Sequence, residues 1–258
     1  MANNNPIGLF DSGIGGTSIW SAIHDLMPFE DTIYLADSKN APYGLKSKDE
    51  IIALSIKNTE FLLERNAKII VVACNTATTN AIKELRAKYD IPFIGIEPAI
   101  KPAAIQSKTQ KIGILATKGT LSSELFNKAV EIYQDTIIIE QIGHGIVELI
   151  ESGKLNSSEM NHLLHSYLEP MIKENIDYLV LGCSHYPYLI PQLKKILPPN
   201  IKIIDSGEAV ARQTYNVLNA YSNLHTEGKS TTIFYSNGDP KVLDAILNHQ
   251  YKVEFKDF

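Results

Sequence analysis

The sequence predicts an α/β protein of two pseudo-symmetric units, each a parallel sheet flanked by helices, with a functional cleft between them. Three observations carry that prediction. Short apolar runs alternate with helical stretches over residues 7–96, the pattern of successive βαβ units. The order of those runs then recurs, at offsets of 105, 104, 109 and 110 residues. The two cysteines of the 258-residue chain, Cys74 and Cys183, fall at the same place in each repeat.

The first strand is expected over 7–10 (IGLF), followed by a glycine turn and a helix to about Met27. A second strand at 32–35 (TIYL), a helix over 47–66, a third strand at 68–73, a further helix and a fourth strand at 91–96 complete the unit. Apolar runs this continuous suit strands buried on both faces, so helices should cover both sides of the sheet. In the repeat, Ile112-Gly113-Ile114-Leu115 answers the first strand and Asp135-Thr136-Ile137 the second. Leu179-Val180-Leu181-Gly182-Cys183 answers the third strand and Ile201-Lys202-Ile203-Ile204 the fourth. One such match means little, but four in the same order argue for duplication of the unit. Connections are expected near 97–102 and, if the last segment rejoins the first unit, near 205–208. That division gives one unit of residues 1–97 with 208–258 and another of 98–207; pattern alone leaves the return open.

A net charge of −5 with scattered Lys and Arg supplies no basic footprint, so nucleic acid is not an expected partner. No apolar run is long enough to span a bilayer and the N-terminus lacks a signal-like segment, so the expected location is the cytoplasm, without a membrane role. No metal site is expected either. There is no Cys-x-x-Cys, and His162 and His165 sit in a polar helical stretch that reads as a solvated face.

In open α/β sheets ligands bind beyond the carboxyl ends of the strands, where both cysteines lie. A single cysteine after an apolar strand usually reads as a small buried hydrophobe. That reading explains poorly why both occupy matched positions. A helix start after each would lower the thiol pKa and offer N–H groups to a carboxylate. The turn Asp11-Ser12-Gly13-Ile14-Gly15-Gly16 lacks the spacing of a dinucleotide fingerprint or a phosphate loop. It reads equally as a tight turn or as a binding turn, whereas Asp37 with Pro42-Tyr43-Gly44 reads as a β-turn by default and as a substrate clamp if it lines the same strand-end face. Other readings of the cysteine pair stay open here: a redox disulfide switch, or a small-ligand binding module without catalysis.

Six segments resemble the bacterial glutamate racemases of the aspartate/glutamate racemase superfamily: 7–16 (IGLFDSGIGG), 34–44 (YLADSKNAPYG), 72–77 (VACNTA), 95–102 (GIEPAIKP), 115–120 (LATKGT) and 181–187 (LGCSHYP). The resemblance implies a cofactor-independent enzyme, with no pyridoxal phosphate, racemising glutamate through Cys74 and Cys183 and supplying D-glutamate for peptidoglycan. Asp11 would assist Cys74, and His185 would assist Cys183. Asp11, Ser12, Tyr43, Gly44, Asn75, Thr76, Ser184 and His185 would hold the substrate, with Thr117, Thr120 and Glu151 as further candidates. A homodimer is implied as well. His185 and the FDSG segment point away from aspartate and hydantoin relatives. The chain departs from the pattern at Ser184 (usually Thr), at Gly143-His144 (usually Cys-Pro), which bears on Glu151, and at Thr17 (usually Leu).

Overall fold

A computed structural model of the chain describes residues 5–221 and 223–258. The first unit runs β1 (Ile7–Asp11), α1 (Thr17–Leu26), β2 (Thr32–Ala36), α2 (Lys48–Leu63), β3 (Ile69–Val72), α3 (Asn75–Lys88) and β4 (Phe93–Gly95). There follow α4 (Ile100–Gln106), β5 (Lys111–Ala116), α5 (Lys118–Leu121), α6 (Glu124–Glu131), β6 (Ile137–Ile142), α7 (Ile146–Glu151), α8 (Ser158–Lys173) and β7 (Tyr178–Gly182). The remainder is α9 (Ile190–Ile196), β8 (Lys202–Ile204), α10 (Gly207–Ala220), β9 (Thr232–Ser236), α11 (Pro240–Ile246) and β10 (Val253–Phe255).

Every strand pairing is parallel, and the strands form two sheets of order β10-β9-β2-β1-β3-β4 and β6-β5-β7-β8. The duplication therefore extends to topology. The four strands matched by sequence occupy the same order in each sheet, with the first strand of each repeat between its second and third. In both sheets the order reverses beside that strand, which opens a crevice at its carboxyl end. The ends of β1, β3, β5 and β7 carry Asp11, Cys74, Thr117 and Cys183.

Side-chain alternation explains why helices cover both faces. Phe10, Leu35 and Val72 enter a core with Leu62 of α2 and Leu85 of α3, while Leu9, Tyr34 and Val71 face Ile19 of α1 and Leu218 of α10. In the second sheet Ile112, Ile114 and Val180 pack with Phe126, whereas Leu179 and Leu181 pack with Leu164 and Leu193. The α1 side of the first sheet and the α8 side of the second belong to one continuous apolar cluster. Local signals agree with these elements: Ser47 and Glu50 form a reciprocal capping box at the start of α2.

Some boundaries differ from expectation. The fourth strand is Phe93–Gly95 rather than 91–96, and α2 ends at Leu63. Cys74 directly caps α3, but Cys183 leads into a 3-10 turn, Tyr186–Leu189, and only then into α9. His162 and His165 lie on the exposed face of α8. Among the described residues no helix is long and apolar enough to cross a membrane, and no group of three His, Cys, Asp or Glu side chains could hold a metal ion.

We propose the division into residues 1–97 with 208–258 and residues 98–207; the pairing of β9 with β2 and the packing of α10 on α1 support it. A buried ion pair fastens the segment that follows α10. Lys68 Nζ donates to Glu30 Oε2 at 2.6 Å and to the Asn223 carbonyl at 2.8 Å, and the His225 N–H donates to Glu30 Oε1 at 2.8 Å. Both charged side chains are 1% exposed, so removing the ammonium strands a buried carboxylate. Lys68→Met is expected to lower unfolding free energy by about 3–5 kcal/mol in urea titration. A loss below about 1 kcal/mol would show that the pair does not anchor this segment.

Candidate active site

Asp11 closes β1 and turns its carboxylate inward. Its Oδ2 accepts from the N–H groups of Gly13 (3.2 Å) and Gly16 (3.0 Å), and its Oδ1 accepts from the Ser184 hydroxyl (3.1 Å). Burial pushes its pKa up, opposed by the nearby His185 and the Gly16 N–H. The glycines of this turn answer to the second unit. A Cβ at Gly13 would stand 1.9 Å from Glu151 Oε1, and one at Gly15 would stand 2.3 Å from His185 Nδ1. Nothing in the turn's own sequence reveals that requirement.

On the first wall, Cys74 Sγ accepts from the Ala77 N–H at 3.4 Å and donates to Ser12 Oγ at 3.6 Å. A helix start is expected to depress a thiol pKa. The structure reverses it. Burial, followed by the charge of Asp11, raises Cys74 well above the ordinary thiol value, and the Ala77 N–H opposes this only in part. Asp11 thus acts on Cys74 through its field, since its hydrogen bonds go to Gly13, Gly16 and Ser184.

On the second wall, Cys183 Sγ lies 3.8 Å from His185 Nδ1, and His185 Nε2 lies 2.5 Å from Glu151 Oε1. That same oxygen accepts from the Ile14 N–H at 2.7 Å, and Glu151 Oε2 accepts from the Ser38 hydroxyl at 3.0 Å. Burial pulls the His185 pKa down, but the contacts with Cys183 and Glu151 outweigh it and leave it well above the usual imidazole value. Glu151, which sequence supplied only through resemblance, is therefore joined to His185. Gly143 fits beneath Tyr186, where a Cβ would meet the phenol oxygen at 2.3 Å. Gly143-His144 does not displace Glu151. Thr17, another departure, hydrogen-bonds the Tyr188 hydroxyl across the units.

One cavity is lined by Ser12, Tyr43, Cys74, Asn75, Cys183 and His185, so residues far apart in sequence meet there. Gly44, Thr76, Thr117 and Ser184 border it as well. The Thr76 hydroxyl contacts those of Thr117 (2.8 Å) and Thr120 (3.3 Å), joining the walls. Two expected contacts are already occupied. The Tyr43 hydroxyl donates to Asp37 and accepts from Asn58 Nδ2, and the Ser184 hydroxyl donates to Asp11. What Tyr43 can offer the cavity is its ring and backbone. Asn75, by contrast, is buried with neither end of its amide paired among the described residues, which leaves an unmet demand for a polar ligand. The cavity measures about 10 Å³, room for about one water. An amino acid enters only if the walls part. A larger cavity of about 620 Å³ lies beside Lys68 and Asp90 and contains none of these groups.

Two like α/β units that enclose a cavity with one thiol on each wall define a racemase-type isomerase. The comparisons agree. Residues 17–214 match the model of the Asp/Glu/Hydantoin racemase family, and the chain belongs to that family. It is 44% identical over 239 residues to a glutamate racemase of Herpetosiphon aurantiacus, covering 92% of this chain and 94% of the relative. A glutamate racemase of Ectopseudomonas mendocina is 43% identical over 244 residues, 94% of this chain and 93% of its own. Among solved structures, a glutamate racemase isoform from Bacillus anthracis superposes with a TM-score of 0.89 at 30% identity, covering 98% of this chain and 97% of that one. Escherichia coli glutamate racemase, in complex with L-glutamate and the activator UDP-MurNAc-ala, gives a TM-score of 0.87 at 32% identity with 98% of each chain covered.

The raised pKa of His185 links the site to stability. A group with a higher pKa in the folded state contributes stability that is complete below its unfolded value, near 6.5, and is lost as pH rises through the folded value. The unfolding midpoint should therefore fall as pH rises above about 6.5, and His185→Asn should flatten that slope. An identical pH dependence in both proteins would mean that His185 does not carry the proton.

Proposed function

We propose that the chain interconverts L- and D-glutamate by proton transfer at the α-carbon between Cys74 and Cys183, without a cofactor, and so supplies D-glutamate for peptidoglycan. The observation that carries this reading is the pair of thiols on one cavity with unlike partners: a carboxylate field at Cys74 and an imidazole at Cys183. The names of the relatives support glutamate as the substrate.

Racemisation takes the α-hydrogen from one face and returns a proton to the other, and a single fixed side chain does not reach both. One sulfur must start as thiolate and the other as thiol. Burial and Asp11 keep the proton on Cys74, so the role of base is assigned to Cys183, whose sulfur lies 3.8 Å from His185 Nδ1. In that state Cys183 takes the α-hydrogen and becomes S–H, and the Cys74 S–H bond breaks to protonate the opposite face. The other enantiomer reacts with the two roles exchanged. Glu151 holds His185 in place and balances its charge. Between the two transfers the carbanion's charge spreads onto the α-carboxylate and needs donors already in position. The first N–H groups of α3, at Asn75 and Thr76, and of the turn Tyr43–Leu45 lie free of intrahelical bonds, and the Asn75 amide adds a donor. Ser12, Gly44, Thr76 and Ser184 complete the proposed substrate set. A cytoplasmic location suits the two free cysteines. A homodimer is also proposed, for light scattering to test: a monomer at assay concentration would remove it.

The deciding experiment is a racemase assay on each glutamate enantiomer with chiral separation. Cys74→Ser and Cys183→Ser should each lose about 10²–10⁴-fold in rate, because a hydroxyl is a far weaker acid than a thiol. Asp11→Asn and His185→Asn should lose less. Near wild-type rates in either serine variant would refute the two-thiol assignment, and a preference for aspartate would refute the substrate.

A further inference from the structure

We infer that Asn237, which lies outside every site motif in the sequence, is a positioning residue of the active site; this rests on the reading of that site as the racemisation centre. Asn237 follows β9, whose register sets Ser236 beside Ala36, so it arrives next to the turn that ends β2. It is 4% exposed and grips that turn at three points. Its N–H donates to the Ala36 carbonyl at 3.3 Å, its Nδ2 donates to Asp37 Oδ1 at 2.5 Å, and its Oδ1 accepts from the Lys39 N–H at 3.0 Å. The next residue, Gly238, is pressed so close that a Cβ there would stand 2.8 Å from Ser38 Cβ.

Two arms run from this turn into the cleft. Asp37 accepts from the Tyr43 hydroxyl and thereby sets the wall formed by Tyr43 and Gly44. Gly44 in turn abuts Thr117 of the second unit, where a Cβ would come to 2.9 Å from Thr117 Cβ. Ser38 donates to Glu151, and Glu151 holds His185 beside Cys183. A single side-chain amide therefore underlies both the substrate wall and the imidazole that serves one thiol. Its two ends are not interchangeable: the donor faces a carboxylate and the acceptor faces a backbone N–H.

The test compares racemisation of both glutamate enantiomers, with thermal unfolding read alongside, for wild type, Asn237→Ala, the isosteric Asn237→Asp, and Ser38→Ala. Asn237→Ala loosens both arms, so kcat should fall about tenfold and KM should rise, since displacements of about 1 Å cost up to about a hundredfold. Ser38→Ala cuts one arm and should lower kcat with KM little changed. Asn237→Asp fills the same space but opposes Asp37 with a second carboxylate, and should be worse than Asn237→Ala. Packing alone would predict the reverse order. If Asn237→Ala does not fold, Asn237→Ser replaces it with the same expectation. An active wild type with kcat and KM of Asn237→Ala within twofold of it, or an Asn237→Asp enzyme milder than Asn237→Ala, overturns the inference alone. A wild type inactive on glutamate overturns the racemase reading and the inference together.

Discussion

The seat of the Glu151 carboxylate is the constraint on which the site depends. The carboxylate comes from α7 of the second unit and lodges in the glycine turn after β1 of the first, accepting from Ile14, Ser38 and His185. Charge-assisted bonds of this kind are among the stronger ones available to a protein, and each of these joins one unit to the other or to the imidazole. Gly13 has no side chain because the carboxylate occupies that space. The carboxylate that holds His185 beside Cys183 within the second unit is thus also the group that the first unit grips.

Duplication supplies the geometry of the site and divergence supplies its chemistry. The shared strand order sets two thiols at corresponding strand ends, yet equal surroundings would give two sulfurs equal claim to one proton. The surroundings differ. Cys74 caps a true α-helix beneath the field of Asp11, whereas Cys183 opens a 3-10 turn and meets an imidazole. Even Asp11 and Ser184, one from each unit, bond to each other, so neither wall is built from one repeat alone.

Much of this was legible in the sequence because strands buried on both faces show as continuous apolar runs, and the runs repeat in order. The same logic made the strand-end residues Asp11, Cys74 and Cys183 visible, while Thr117 was supplied by resemblance. It failed where tertiary approach decides. The direction of the Cys74 shift depends on how deeply the sulfur is buried, which no cap residue reports. Tyr43 was expected among the substrate-holding residues, but nothing in the sequence shows that its hydroxyl is committed to Asp37. Ser38 and Asn237 sit in ordinary turn sequences, and only the lateral pairing of β9 with β2, between strands 200 residues apart, brings them together. Because β9 and β10 have no counterpart in the second sheet, repetition gave no signal for them.

The central claim, that two separate thiols serve the two faces of the α-carbon, makes the origin of the product's α-hydrogen the decisive quantity. A thiol holds one exchangeable proton, so in deuterated water the waiting acid is S–D while the thiolate that accepts the substrate's hydrogen becomes S–H. One glutamate enantiomer would be incubated in deuterated water, sampled over the first turnovers, resolved by chiral separation and read by mass spectrometry. The account predicts product carrying α-deuterium from the start, while the remaining substrate stays largely protiated. Product that retains the substrate's own hydrogen would contradict it, because that result requires a single group to act on both faces.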